Sequence, residues 1–153
     1  MNKKITEKDI LKFLKKQFIM QIATISKNKP HASVILYYVD KDFNFYFTTH
    51  KNSYKSKNLL KNKKISFTIW KHDKILVQAD GVVSIIKNTK EKYRIYNKLI
   101  KSASIGKNFW PPLFHIKGKK YIVFKIKPQW MRILNLSEKT ITSKTSPFTE
   151  IKF

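Results

Sequence analysis

The chain contains a series of short segments rich in β-branched and aromatic residues, and most of them are closed by polar turns. Segments of this kind predict strands, and the short turns between neighbours predict antiparallel pairing. The predicted strands are 19–26, 31–39, 43–49, 64–70, 75–86, 121–126 and 130–134. We expect the first three to form a meander. About six or seven short strands with few helices favour a closed barrel over a doubly wound parallel sheet.

Three helices complete the predicted pattern. Thr6 is a typical N-cap, and apolar residues at helical spacing continue this first helix to about Gln17. Ser53 caps a short helix that ends near Asn62, and Thr89 begins a third helix. The long fifth strand needs a bend, and Gly81 lies where a β-bulge would provide it.

The length of 153 residues fits one domain, with a single core. We expect one domain over 1–153, with the N-terminal helix within 1–17 and a polar, extended or mobile tail over 137–153. The absence of cysteine fits a reducing cytoplasm and excludes thiolate chemistry. The charged N-terminus does not resemble a signal peptide, and no apolar run approaches the ~20 residues that span a bilayer. These features predict a cytoplasmic protein that does not enter membranes.

The formal net charge of +24 would suit a polyanionic partner. However, Arg94 and Arg132 are the only arginines, and nucleic-acid recognition usually relies on the planar arginine fork. The lysines are spread along the chain, and abundant Lys, Asn and Ile also follow from AT-rich codons. A nucleic-acid partner is therefore disfavoured, whereas phosphate-bearing small ligands suit such a field.

The segment 47–59 carries the clearest chemical signal. A strand ends in Thr48 and Thr49, a polar loop follows, and a helix opens at Ser53 with Lys55 in its first turn. Helix N-termini present unpaired N–H groups to anions, and hydroxyls and lysine add donors and charge. The segment predicts a monophosphate site without the glycine-rich pattern of a triphosphate loop. A capped helix with solvated lysines explains the same spacing equally well.

Five segments together resemble the pyridoxamine 5′-phosphate oxidase family. They are IATIS at 22–26, KPHASVILYYVD at 29–40, SYKSKNL at 53–59, ISFTIW at 65–70 and VQADG at 77–81. The resemblance covers roughly 18–83 well and the remainder loosely, and it rests on the order and spacing of the segments. It implies a mainly β (α+β) fold: an antiparallel, Greek-key-like split β-barrel with a few short helices.

The resemblance also implies FMN as the cofactor, bound at the interface of a homodimer. The hydroxyls after the third strand and the start of the next helix would hold the phosphate, the second strand would run beside the flavin ring, and Gln78 would contact it. Tryptophans could stack on the ring, although large aromatic side chains more often fill cores or interfaces. The predicted cofactor-binding residues are Ser33, Val34, Ile35, Thr48, Thr49, Ser53, Tyr54, Lys55, Gln78, Trp110, Trp130 and Arg132.

Two departures concern the substrate. The family's oxidase carries an arginine and a lysine where this chain has Ala32 and Tyr37, and its Arg-Leu-His motif is absent near 130–133. The resemblance therefore supports the cofactor more strongly than vitamin B6 oxidation. We predict an FMN-dependent oxidoreductase that acts on a small molecule, and we assign no catalytic residue.

Three alternatives remain. The protein could be a non-catalytic flavin carrier or sensor, it could bind haem, or it could hold no cofactor. His115 is the histidine to test as an axial haem ligand. The four histidines lack the i, i+4 spacing of a helical metal pair, so no metal site is predicted. Gln78 could instead be an ordinary polar residue on a half-exposed strand.

Overall fold

The computed structural model describes residues 5–104, 120–137 and 146–153. In this part of the chain, eight strands form one curled antiparallel sheet, a half-barrel accompanied by three helices. The predicted mainly β split-barrel class is therefore confirmed. The elements are α1 Glu7–Lys16, β1 Ile19–Ser26, β2 Lys29–Leu36, β3 Tyr38–Val39, β4 Phe45–His50, α2 Tyr54–Lys61, β5 Lys64–Lys71, β6 Ile75–Ile85, α3 Thr89–Ala103, β7 Tyr121–Asn135 and β8 Phe148–Lys152.

The strand order is β2-β1-β5-β6-β7-β4-β3, and β8 pairs with β7. Strand β7 is long enough to serve two neighbours along one edge, β4 through Tyr121–Ile126 and β8 through Trp130–Leu134. The prediction of two separate strands, 121–126 and 130–134, was wrong. Pro128 does not end the strand, because it lies at the bulge opposite Gly81, where the ladder is already interrupted.

Tyr37 divides the predicted second strand into β2 and β3, and these lie at opposite ends of the strand order. The predicted meander was therefore wrong, since β3 pairs with β4 but β2 pairs only with β1 among the described strands. The Tyr37 N–H donates to the Phe18 carbonyl at 3.0 Å, and its buried hydroxyl donates to the Leu14 carbonyl at 2.7 Å. These bonds hold Tyr37 at the point where the chain passes from β2, at one edge of the sheet, to β3, at the other edge.

The main core fills the inside of the curled sheet, and a smaller cluster lies beneath α3. Strand β4 contributes side chains to both the main core and the smaller cluster, because successive side chains of a strand point to opposite faces. Phe45 and Phe47 enter the main core, while Tyr46 packs with Ile95 and Leu99 of α3. Strand β4 is buried on both faces, and this fixes the position of the strand end that carries Thr48 and Thr49.

The helix boundaries follow the predicted caps. Thr6 forms a capping box with Asp9 at the start of α1, and Ser53 caps α2, which ends before Asn62. In the predicted polar tail, Phe148–Lys152 is instead an ordered strand, held by β7 and by burial of Ile151. No helix in the described ranges is long and apolar enough to cross a membrane.

Candidate functional site

The end of β4 and the start of α2 meet through two hydroxyl groups. The Ser53 hydroxyl oxygen lies 3.2 Å from that of Thr49, and it accepts the backbone N–H of Ser56 at 3.2 Å. The N–H groups of Tyr54 and Lys55, in the first turn of α2, have no intrahelical carbonyl to bind. The structure thus brings two predicted hydroxyls together at a helix start whose free N–H groups suit an anion.

Thr48 points elsewhere. It follows Phe47 on the strand, so its side chain leaves the opposite face from Thr49. Its neighbour across the sheet is Val123, which belongs to the small cluster beneath α3. The Thr48 side chain therefore does not join the Thr49–Ser53 pair.

Two buried hydroxyls of this segment have no hydrogen-bond partner among the described residues. They are Oγ1 of Thr48, in a side chain 5% exposed, and Oγ of Ser56, in one that is fully buried. An unsatisfied buried hydroxyl costs about 1–3 kcal/mol, so native proteins rarely keep one without a reason. Ser56 lies on α2 within one turn of Ser53, but its hydroxyl is fully buried and does not open onto the helix start.

Lys55 supplies the positive charge of this region. Its side chain is half-buried, and this burial lowers the pKa of its ammonium group below the usual lysine value. No acidic residue lies in the first turn of α2, and no described carboxylate forms an ion pair with Lys55. A partly desolvated ammonium without a counter-ion gains from binding an anion.

Helix α2 is tied to β1 and β2 by an amide that the sequence analysis did not single out. The Asn58 side-chain nitrogen lies 3.0 Å from Oγ1 of Thr24 and 3.0 Å from Nδ1 of His31. The Tyr54 ring meets the His31 ring edge-on, with centroids 5.8 Å apart. His31 thus has a structural role: it fixes β2 beside α2.

Strand β2 itself forms one edge of the described sheet. The backbone groups of Ser33, Val34 and Ile35 that face away from β1 have no neighbouring strand, and the Val34 side chain is 62% exposed. An unpaired strand edge offers free backbone donors and acceptors to another chain or a ligand.

A groove of about 340 Å³ lies on the face of the sheet opposite the main core. Gln78 lines it, since its neighbours Val77 and Ala79 point into that core. Trp130 and Arg132 line the same groove, and Nε of Arg132 donates to Oε1 of Gln78 at 2.7 Å. The structure thus brings these three predicted residues together within one chain.

Strand β2 separates this groove from the α2 region, with one on each of its faces. His31 contacts α2, and the next residue, Ala32, lines the groove. The remaining predicted residues, Trp110 and the alternative haem ligand His115, lie outside the described residues. Within the described ranges there is no cluster of three or more side chains that could ligate a metal.

The comparisons identify similar proteins. The family model described as pyridoxamine 5′-phosphate oxidase matches residues 6–135. A conserved hypothetical protein from Mycobacterium tuberculosis is 18% identical, with a TM-score of 0.73 over 93% of this chain and 95% of that one. An FAD-binding protein from Mesorhizobium loti is 12% identical, with a TM-score of 0.66 over 84% and 92% of the two chains.

A haem-binding protein from Mycobacterium smegmatis shares the fold at 13% identity, with a TM-score of 0.66. That match covers 90% of this chain and 53% of the other. No curated protein matches the chain significantly. At these identities, the solved structures bear on the fold alone.

Proposed function

Because the chain belongs to the pyridoxamine 5′-phosphate oxidase family, we propose that it binds FMN and works as a flavin-dependent oxidoreductase on a small substrate. One observation carries the proposal. Strand β2 borders both a cationic, hydroxyl-lined helix start, through His31 on one face, and a mainly apolar groove, through Ala32 on the other face. This arrangement suits a ligand with a phosphate at one end and a planar ring at the other.

The residues divide between the two ends of the cofactor. Lys55, Ser53, Thr49 and the free N–H groups of α2 would hold the phosphate. The β2 backbone at Ser33–Ile35 and the Gln78 side chain would orient the ring. When bound, the flavin would supply the redox chemistry, and the protein would supply binding, orientation and electrostatics.

The second subunit enters the proposal through the exposed edge of β2. A homodimer that covers Val34 would bury an apolar side chain that is 62% exposed in the single chain. It would also enclose the cofactor between two copies of the edge. Size-exclusion chromatography with light scattering tests this arrangement, and a monomer at micromolar concentration would argue against it.

The substrate is proposed to differ from pyridoxamine 5′-phosphate. Tyr37 occupies the position of the family oxidase's lysine, and it is 1% exposed with its hydroxyl bound to the Leu14 carbonyl. A side chain held in the core in this way does not reach a ligand. Ala32, in the position of the oxidase's arginine, offers no charge. The chain therefore lacks two cationic side chains that the family's oxidase carries, and this disfavours vitamin B6 oxidation.

The proposal is tested by titrating the purified apoprotein with FMN and, in parallel, with riboflavin, which lacks the phosphate. We expect FMN to bind with a changed visible spectrum, and riboflavin to bind at least roughly tenfold more weakly because it forms no charge-assisted phosphate bonds. Equal affinities would contradict the phosphate site. No binding of either flavin would contradict the proposed function.

Two further measurements separate an enzyme from a flavin carrier and a flavoprotein from a haem protein. Oxidation of NADH or NADPH by the flavin-loaded protein would support an enzyme over a carrier. A Soret band after purification or haem addition would favour haem, the ligand named for the M. smegmatis protein of similar fold.

FMN affinity is expected to fall as the pH rises, and at a lower pH than it would if the phosphate were held by a fully exposed lysine. Burial lowers the pKa of Lys55, so its charge is present below that lowered pKa and lost as the pH rises through it. The phosphate keeps its second charge above about pH 6. Affinity should therefore be greatest near neutral pH.

This pH dependence is measured as the FMN dissociation constant between pH 7 and pH 9.5, with riboflavin titrated in parallel to correct for the ring. The Lys55→Arg variant should stay flat across this range, because arginine remains charged. A wild-type profile as flat as that of Lys55→Arg would show that Lys55 does not govern the affinity.

A further inference from the structure

Arg132 is one of only two arginines among the 33 basic residues of the chain, and it lies in the groove. We propose that Arg132 is a positioning and redox-tuning residue: it fixes the amide of Gln78 so that its NH₂ group faces the bound flavin, and its charge raises the flavin's reduction potential. This inference rests on the proposed function, because it requires a flavin ring in the groove.

The guanidinium group is held by two aromatic rings. Its central carbon lies 4.4 Å from the centroid of the Phe148 ring and 5.6 Å from that of the Trp130 ring. Phe148 reaches this position because β8 pairs with the second half of β7. Cation–π contacts of this kind are more often made by arginine than by lysine, because the flat guanidinium can also stack on a ring. The C-terminal strand thus keeps the Arg132 side chain in one orientation.

The bond between Arg132 and Gln78 determines which way the amide faces. Nε of Arg132 can only donate, so the atom it meets at 2.7 Å is the amide oxygen Oε1. The Gln78 nitrogen must then point away from the arginine. Gln78 therefore offers the groove two N–H donors, and an acceptor on a flavin ring, such as a carbonyl oxygen, is the complementary group.

Arg132 forms no ion pair within the described residues. Asp80 lines the same groove and Glu150 lies opposite Arg132 on β8, yet neither forms an ion pair with it. Uptake of two electrons and one proton gives the flavin one additional negative charge. A nearby guanidinium in a partly buried groove stabilises that charge, so it favours the reduced form over the oxidised form.

The test is a redox titration of the FMN-loaded protein with dithionite and an indicator dye. In Arg132→Gln, we expect the ratio of reduced to oxidised flavin at a given potential to fall about tenfold, which is about 30 mV for a two-electron couple. The matched control is Arg94→Gln, which removes the same charge from α3, where Arg94 lies 3.9 Å from Glu91. Arg94→Gln should keep the wild-type potential.

Two further variants separate positioning from charge. Arg132→Lys keeps the charge but loses the planar fork, so it should retain most of the reduction potential. Gln78→Ala, which removes the amide, should bind FMN more weakly than the wild-type protein, and Arg132→Lys should bind it equally weakly. Equal potentials in Arg132→Gln and Arg94→Gln would overturn the redox role, and wild-type affinity in Arg132→Lys would overturn the positioning role. Absence of FMN binding by the wild-type protein would instead contradict the proposed function, so the two failures are distinguishable. If Arg132→Gln does not fold, as judged by circular dichroism, the Arg132→Lys comparison still decides the positioning role.

Discussion

Replacing Lys55 with alanine is expected to weaken FMN binding by about 1.5–3 kcal/mol, roughly 10- to 150-fold in the dissociation constant. The variant removes a half-buried ammonium that has no ion-pair partner among the described carboxylates. Because burial already lowers the pKa of Lys55, a phosphate would relieve an unfavourable desolvation as well as form a charge-assisted bond. Folding should be unaffected, since no described contact of the ammonium stabilises the fold.

The natural control is Lys57→Ala, which removes an equal charge from the exposed face of the same helix. Fluorescence titration of FMN into the two variants and the wild-type protein separates a local contact from the general field of a chain with net charge +24. Riboflavin should bind Lys55→Ala and the wild-type protein alike. If Lys55→Ala and Lys57→Ala bind FMN equally well, Lys55 does not contact the phosphate.

Local signals in the sequence were sufficient to predict the elements around the site. Ser53 caps α2 as predicted, since N-capping depends on a residue and the turn that follows it. The turn at Lys27 and Asn28 is also a local feature, with φ angles of 46° and 63° that suit a two-residue hairpin. The proximity of Thr49 to Ser53 follows from a loop of only a few residues.

Contacts between distant parts of the chain could not be predicted in the same way. The crossing at Tyr37 depends on carbonyl groups of Leu14 and Phe18, and nothing near Tyr37 in the sequence indicates them. The contact of Asn58 with Thr24 and His31 likewise joins residues 34 and 27 positions apart. The two sides of each contact meet only because the sheet curls.

The contact between Gln78 and Arg132, within the candidate site, is another long-range contact that the sequence could not predict. The sequence predicted both residues as cofactor-binding, but it gave no sign that they contact each other. The structure joins them within one chain, across 54 residues, because β6 and β7 are neighbours in register. Residue type and motif order thus predicted candidate side chains, whereas strand pairing determines which of them touch.

The β-bulge at Gly81 affects both the packing of β6 on β7 and the position of the groove residues. The register between β6 and β7 shifts between Asp80 and Gly81, and this shift places Trp130 opposite Asp80 while Arg132 stays opposite Gln78. A Cβ atom at position 81 would lie 2.5 Å from the Lys127 carbonyl oxygen and 3.0 Å from Cα of Pro128. Both are backbone atoms, so no side-chain rotation relieves the clash.

Gly81→Ala is therefore expected to lower the free energy of unfolding by about 2–3 kcal/mol, the upper part of the range for overpacked positions. For a chain of 153 residues, this corresponds to a melting temperature lower by about 4–12 °C. Urea and thermal denaturation followed by circular dichroism measure both quantities. Ser84→Ala, an exposed position on the same strand, is the matched control and should stay within about 0.5 kcal/mol of the wild-type value.

The same substitution should also affect the groove. Moving the β7 backbone away from position 81 shifts Trp130 and disturbs the register that sets Arg132 beside Gln78. We therefore expect Gly81→Ala to weaken FMN binding even at temperatures where the variant is fully folded, whereas Ser84→Ala should bind normally. If Gly81→Ala is as stable as Ser84→Ala, the two strands do not approach as closely as described. If it is destabilised but binds FMN with unchanged affinity, the bulge serves the fold alone and the cofactor does not depend on the register of β6 and β7.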